Sequence, residues 1–372
     1  MASRSVLRRH IHQFPLRNSR RFTEPPGNLP SVKDGCGSQA SDILCECFQI
    51  GEPVTITVNL IAKFAPAFLR QSPAGDGVWE DVRFLINSTE ATDYCVVFNF
   101  VHAPLKVRCR PGNLWLLMQE PPTDFYKPMH SGSDVFDRIL TQDTELSGSR
   151  YFWTQPANNW HVARSYAELK EMPPGVKCRD VSAVVSDKAM FPGHRERLAF
   201  LQRLKCVLPL DHFGRGFVEI ADKWDALAPY RYSFTAENFR DPFYWTEKIA
   251  DCFLARTMPI YCGCTRITEY FPSESMICFD LEDPHAVDLI REAVAGDAWG
   301  RNQDALEHAR SLVLERYQLL PFLVAQIRSH RSSCGSIYDK HEERWVYPQP
   351  EKKTYTEHCT SFARALRGMI RL

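Results

Sequence analysis

The sequence predicts an α/β protein of two domains, and three observations carry that prediction. The first is length: 372 residues suit two cores, and 44% hydrophobic with 24% charged residues is the balance of an ordinary globular chain. The second is a series of short apolar runs bounded by turn residues at 54–60, 82–86, 94–100 and 114–118, with the spacing of strands separated by connections. The third is a further such series, 181–186 and 232–236, each run followed by a loop and then a helical pattern.

Along the chain, residues 1–48 differ in kind from the rest. Arg4, Arg8, Arg9, Arg17, Arg20 and Arg21 all precede the first acid, Glu24, and periodic apolar content is low. This extension reads as a disordered tail, an acid-poor targeting peptide or a contact arm, and is excluded from the fold. Residues 49–165 make the first α/β domain. Its fourth apolar run ends in Gln119-Glu120-Pro121-Pro122, where Pro121 stops the ladder and biases Glu120 toward an extended conformation. Residues 166–300 make the second. In it the strand at 181–186 leads into Gly193-His194-Arg195-Glu196-Arg197 and a helix carrying Leu198, Leu201 and Leu204. Asp211 to Phe213 then ends a strand at Gly214 and Gly216, where glycine would permit close approach of the backbone to a nucleotide or simply make a tight turn.

The stretch 230–280 is the densest in chemistry. Residues 232–236 read as a strand with Glu237 and Asn238 at its carboxyl end, the position at which open α/β sheets hold ligands. Thr246 is a helix N-cap, with Ile249, Phe253 and Met258 on one side of the helical projection and Ala250 and Leu254 beside them. Glu247 and Lys248 then fall in the first turn. Unpaired N–H groups, the positive end of the helix dipole and the lysine charge together suit a phosphate. A carboxylate at Glu247 would repel a phosphate and suits hydroxyl donors instead.

In order and spacing, Ala236-Glu237-Asn238, Tyr244-Trp245-Thr246-Glu247-Lys248 and Met258-Pro259-Ile260-Tyr261 resemble the donor-binding signature of the family 10 glycosyltransferases, the alpha-1,3/1,4-fucosyltransferases. The resemblance implies a GT-B fold, two Rossmann-like domains facing across a cleft, and inverting transfer of L-fucose from GDP-fucose to a hydroxyl of a glycan acceptor. It makes Glu120 the catalytic base. It gives Arg197, through the pattern Arg197-x-x-Phe200, and Lys248 the leaving diphosphate, with Arg195 as the alternative to Arg197. Gly214, Glu237, Asn238, Tyr244 and Glu247 fall to the nucleotide and sugar, Glu247 to the ribose hydroxyls. The piece from Asp211 to Phe217 followed by Lys223 and Tyr230 is similar to the soluble bacterial members. The family usually has a serine after Glu-Asn, and this chain has Phe239, which leaves the donor sugar open. A transferase of another nucleotide sugar, or a non-catalytic glycan- or nucleotide-binding protein of the same fold, are the alternatives.

Other classes are disfavoured. Lysine plus arginine and aspartate plus glutamate number 45 each, so net charge steers the chain toward neither nucleic acid nor an anionic surface. No apolar run reaches the roughly 20 residues of a membrane span, which points to the cytoplasm and away from a Golgi-anchored form. Thirteen cysteines without a C-x-x-C pair suit reduced thiols, and Cys262-Gly263-Cys264 and Cys45-Glu46-Cys47 read as structural. No Asp-x-Asp motif is present, so no obligatory metal is expected and the diphosphate falls to side chains. Asn87-Ser88-Thr89 reads as a chance sequon. Within residues 301–372, Ala305, Ala309, Leu312, Val313, Tyr317 and Leu320 predict one helix. The tail carries a basic amphipathic pattern with Phe362, Leu366, Met369 and Ile370 on one side, suited either to packing on the protein or to peripheral contact with anionic membrane.

Overall fold

The computed structural model describes residues 56–63, 68–333 and 340–348. The arginine-rich extension, Val54, Thr55, Cys45, Cys47 and the basic tail lie outside the described residues.

Two largely parallel sheets dominate. The first has seven strands: β1 (Ile56–Ile61), β2 (Val78–Trp79), β3 (Val82–Ile86), β4 (Tyr94–Phe98), β6 (Leu114–Leu117), β7 (Arg138–Thr141) and β8 (Tyr151–Trp153), in the order β2-β3-β1-β4-β6-β7-β8. Only β2 runs antiparallel, on the edge. Strands β4 and β6 are buried along their whole length, which is why they read as unbroken apolar runs rather than alternating ones. Between them in sequence, β5 (Leu105–Cys109) leaves the sheet and pairs antiparallel with β14 (Glu342–Val346). Lys106 and Arg108 alternate outward along β5, a pattern that fits a strand wet on one face.

The second sheet contains β9 (Arg179–Val184), β10 (Asp211–Phe213), β11 (Tyr230–Ala236), β12 (Met258–Cys262) and β13 (Ile277–Cys278), all parallel, in the order β10-β9-β11-β12-β13. Helices α1 (Lys127–His130) and α2 (Tyr166–Glu171) follow β6 and β8, α3 (Pro192–Lys205) joins β9 to β10, and α4 (Glu247–Leu254) joins β11 to β12. After β13 come α5 (Ala286–Ala295), α6 (Ala298–Arg301), α7 (Gln303–Leu312) and α8 (Leu319–Ser333). One contiguous hydrophobic core runs through both sheets and α8. The architecture is thus two Rossmann-like sheets, as the fold reading anticipated.

Two sequence readings need correction. Met258 is not on the helix with Ile249 and Phe253; α4 stops at Leu254, and Met258 opens β12, buried on both faces. The single helix expected over 305–320 is broken. After Leu312 the chain makes a wider π-type turn over Val313–Tyr317, and Gln318 is extended (φ −65°, ψ 163°) before α8 begins. The Gln318 side chain explains the break: Nε2 donates to the Gln71 carbonyl and Oε1 caps Leu320 N–H, so tertiary bonds replace helical ones. The bend sends α8 back to the first sheet, where His330 meets Tyr94 and Trp115.

No helix among the described residues is long and apolar enough to cross a membrane. Asn87 sits at φ 49°, its Nδ2 donating to the Ala62 carbonyl and its Oδ1 accepting from Ala62 N–H.

Candidate functional site

In the second sheet the connections run outward in opposite directions from β9 and β11, which lie side by side. Their carboxyl ends therefore flank a topological switch point, where an open sheet leaves a crevice. Glu237 and Asn238 leave β11 there, and α3 begins opposite them. Gly193 lies so close to the Asn238 carbonyl that a Cβ would collide with it. This approach lets Arg197 Nη1 donate to Asn238 Oδ1 at 2.5 Å. Arg197 is buried and its Nε has no hydrogen-bond partner among the described residues. Burial pulls its guanidinium below the ordinary arginine value, against the attraction of Glu237. Arg195 points elsewhere: it is exposed and donates to the Ala189 carbonyl at 3.1 Å. Of the two arginines, only Arg197 enters the crevice, beside a void of about 20 Å³ that Lys223 and Lys248 also line.

The start of α4 forms the facing wall. Thr246 is the N-cap, its hydroxyl accepting from Lys248 N–H, and Glu247 and Lys248 are the first two helical residues. Glu237 is turned inward. Its fully buried carboxylate accepts from Thr246 N–H at 2.8 Å, from the Thr246 hydroxyl at 3.0 Å and from Lys248 Nζ at 3.0 Å. It thus fixes both the helix entry and the lysine. Burial would lower the Lys248 ammonium, but Glu237 and Glu247 outweigh it and the net shift is upward, so the lysine stays charged. Burial likewise pushes Glu247 up, yet Lys248, His161 and Lys223 prevail and bring it down to about 2. Below this turn Asp251, fully buried, accepts from His161 N–H at 2.9 Å and from Lys223 Nζ at 2.7 Å.

The opposite side comes from the first sheet. Glu120 follows β6, a central strand, and its backbone is held at both ends: its N–H donates to Asn99 Oδ1 and its carbonyl accepts from His130 Nε2 at 3.0 Å. His130 is wholly buried, and burial lowers it to about 4, so the ring is neutral. With Nε2 donating, Nδ1 accepts from the Thr141 hydroxyl at 2.6 Å. Burial raises the Glu120 carboxyl above its ordinary value of 4.5; Lys248 and Lys188 pull against this and Glu247 adds to it. Those charges belong to the second sheet, at the start of α4 and in the loop after β9. Tyr244 is buried among Glu237, Glu120 and Glu247, with desolvation and then these three acids holding its phenol far above the usual range. Phe239 packs edge-on against it, centroids 6.3 Å apart.

Gly214 has φ 126°, and a Cβ there would lie 2.7 Å from the Val185 carbonyl. The close approach that requires glycine is to the chain's own β9 end. Cys262 and Cys264 are both buried, and Cys264 Sγ donates to the Pro242 carbonyl. His130, His161, Lys188 and the Lys223–Asp251 pair were given no role from sequence. Asp251 alone carried a signal, as an acid among Ile249, Ala250, Phe253 and Leu254 on the buried side of a helix, where a charge needs a partner.

No family model matches the chain, and no curated protein does. Among solved structures it is similar to an alpha1,3-fucosyltransferase crystallised with GDP-fucose, at 17% identity and a TM-score of 0.48, covering 79% of this chain and 95% of that one. The same comparison with an alpha1,3-fucosyltransferase bound to GDP gives 16% identity and a TM-score of 0.44, over 73% and 93% of the two chains. A glycosyltransferase from Rickettsia africae gives 8% identity and a TM-score of 0.42, over 75% and 98%.

Proposed function

We propose that the chain is an inverting glycosyltransferase that moves L-fucose from GDP-fucose to a hydroxyl of a glycan. The observation that carries this reading is that Glu120, at the end of a strand of one sheet, feels the charge of Lys248 at the switch point of the other, where Glu237 holds Lys248 and Asn238 holds Arg197.

Transfer with inversion requires the acceptor oxygen to attack the anomeric carbon opposite the leaving diphosphate. As the new C–O bond forms, the bond from that carbon to the phosphate oxygen breaks and its electron pair goes to the diphosphate. The acceptor hydroxyl gives its proton to Glu120. Charge accumulates on the leaving oxygens, where a buried guanidinium and a lysine held by Glu237 need no reorganisation to meet it. Arg197 Nε is free to donate, and Asn238 orients the guanidinium from its other end. Glu247, ionised well below neutral pH, accepts from ribose hydroxyls, and the buried Tyr244 feels the charge of both Glu247 and Glu120. In this mechanism the diphosphate needs no metal ion.

Phe239 supports a second reading, a donor sugar other than fucose, because it places a ring against Tyr244 where the resembling family has a serine. A thermal-shift panel with GDP, GDP-fucose, GDP-mannose, UDP-galactose and UDP-N-acetylglucosamine separates the two. Stabilisation by GDP and GDP-fucose alone is the expected result. A larger shift with GDP-mannose moves the reading to that sugar, and no shift with any guanine nucleotide removes it.

A further inference from the structure

We propose that Lys223 is a third cation for the departing diphosphate and completes, with Arg197 and Lys248, a cradle at the switch point of the second sheet. The inference deepens the glycosyl-transfer reading and rests on it for the identity of the anion.

Its place is the first argument. Lys223 opens a short helical turn, Lys223–Ala226, which Asp222 caps by accepting from Trp224 N–H. From there it lines the same void of about 20 Å³ as Arg197 and Lys248, against Val185 at the end of β9 and Ala236 at the end of β11. A void of that size admits about one water or one phosphate oxygen, so the three cations converge on a point. Exposure is the second argument. Each lysine has an acid behind it: Asp251 accepts from Lys223 Nζ at 2.7 Å, as Glu237 does from Lys248 Nζ at 3.0 Å. Both carboxylate side chains are 0% exposed, whereas the Lys223 side chain is 17% exposed and that of Lys248 22%. The acids hold the ammonium groups from the interior, and the charge these pairs present to solvent is positive.

Charge is the third. Burial would lower the Lys223 ammonium, but Asp251 and Glu247 outweigh it and the net shift is upward. Lys223 in turn pulls Lys248 downward, so the two ammonium groups repel each other across the crevice. A diphosphate between them replaces that repulsion with two attractions, and the gain grows as charge builds on the leaving oxygens. A neutral ligand would leave the repulsion in place. The anchor is itself fixed, because Asp251 also accepts from His161 N–H at 2.9 Å, and Lys223 therefore meets the anion without reorganisation. An ammonium has three protons to donate, and Asp251 takes one of them.

The test is calorimetric titration of GDP and of inorganic pyrophosphate into wild type, Lys223→Met, Asp251→Asn and the double variant. The double variant is included because Lys223→Met alone leaves a buried acid unpaired, which can prevent folding. Lys223→Met and the double variant should each weaken GDP about tenfold or more, the worth of a charge-assisted hydrogen bond. Asp251→Asn should weaken it far less, since the cation remains, and pyrophosphate should follow the same order. A lysine that only braces α4 through Asp251 would make the two single variants equally harmful. Equal losses from both, or GDP affinity retained in the double variant, overturn the inference and leave the donor reading intact. Pyrophosphate binding that depends on Lys223, in a protein that does not bind GDP, defeats the donor reading and leaves the three-cation site standing. Binding of neither ligand by wild type overturns both.

Discussion

At the scale of the residue, Glu120 and Glu247 are two acids with opposite settings. Burial raises the first, while cations hold the second at about 2. A base works only when ionised, so turnover should fall as pH drops through the raised value of Glu120, on a limb lying above the ordinary 4.5. Glu120→Gln should lose on the order of 10²–10⁴ in kcat, keep its donor affinity and abolish that limb. Unchanged turnover would remove Glu120 from the mechanism. Glu247 gives a prediction for stability. Its folded value lies below the unfolded 4.5, so its charge stabilises the fold fully above that pH, and the contribution is lost as pH falls from 4.5 toward 2. With a side chain 13% exposed, the contribution is on the order of 3 kcal/mol. Urea titrations of wild type and Glu247→Gln should therefore converge in strong acid and differ most at neutral pH; parallel curves would contradict the assignment.

At the scale of the element, the entry to α4 and the approach of α3 to Asn238 make the site rigid. Thr246 serves twice, as N-cap and as a donor to Glu237. Thr246→Ala should cost about 1–2 kcal/mol in denaturant unfolding, and should also weaken GDP binding, because Lys248 loses one of the two groups that hold it. A stability loss with GDP affinity intact would make the cap purely structural. Gly193→Ala forces a methyl into the Asn238 carbonyl and must push α3 off β11. Its expected signature is a destabilisation of about 1–3 kcal/mol, accompanied by weaker GDP stabilisation as Arg197 loses its register with Asn238.

At the scale of the whole molecule, the two sheets are joined by one hydrophobic core, closed by the return of α8 to the first sheet. Heat or urea should then unfold the described fold in one step, with tryptophan fluorescence and far-ultraviolet dichroism coincident; separate transitions would show that the sheets are independent. Leu323 in α8 is fully buried, and Leu323→Ala should cost about 2–5 kcal/mol. On the same helix Arg328 pairs with Glu80 and Asp81 in the open, and Arg328→Ala should cost no more than about 0.5 kcal/mol.

The sequence by itself determined the elements whose signal is local. Strand β3 has the bounds its apolar run predicts, β4, β6 and β11 differ from theirs by a residue or two, and Thr246 caps α4, because apolar runs and capping chemistry are written in neighbouring residues. Only the tertiary structure decided what depends on partners distant in the chain. Strands β7 and β8 are four and three residues long and carry Arg138 and Trp153, too short and too mixed for a period to register. The break at Gln318 follows from a bond to Gln71, and the inward turn of Glu237 from its bonds to Thr246 and Lys248. Which of Arg195 and Arg197, two residues apart on one helix, bonds Asn238 depends on the side of α3 that faces it. Propensity and pattern act over a few residues and fix where strands and helices form. The direction of a charged side chain is fixed by the desolvation it suffers and the partner it finds, and both are properties of the assembled fold.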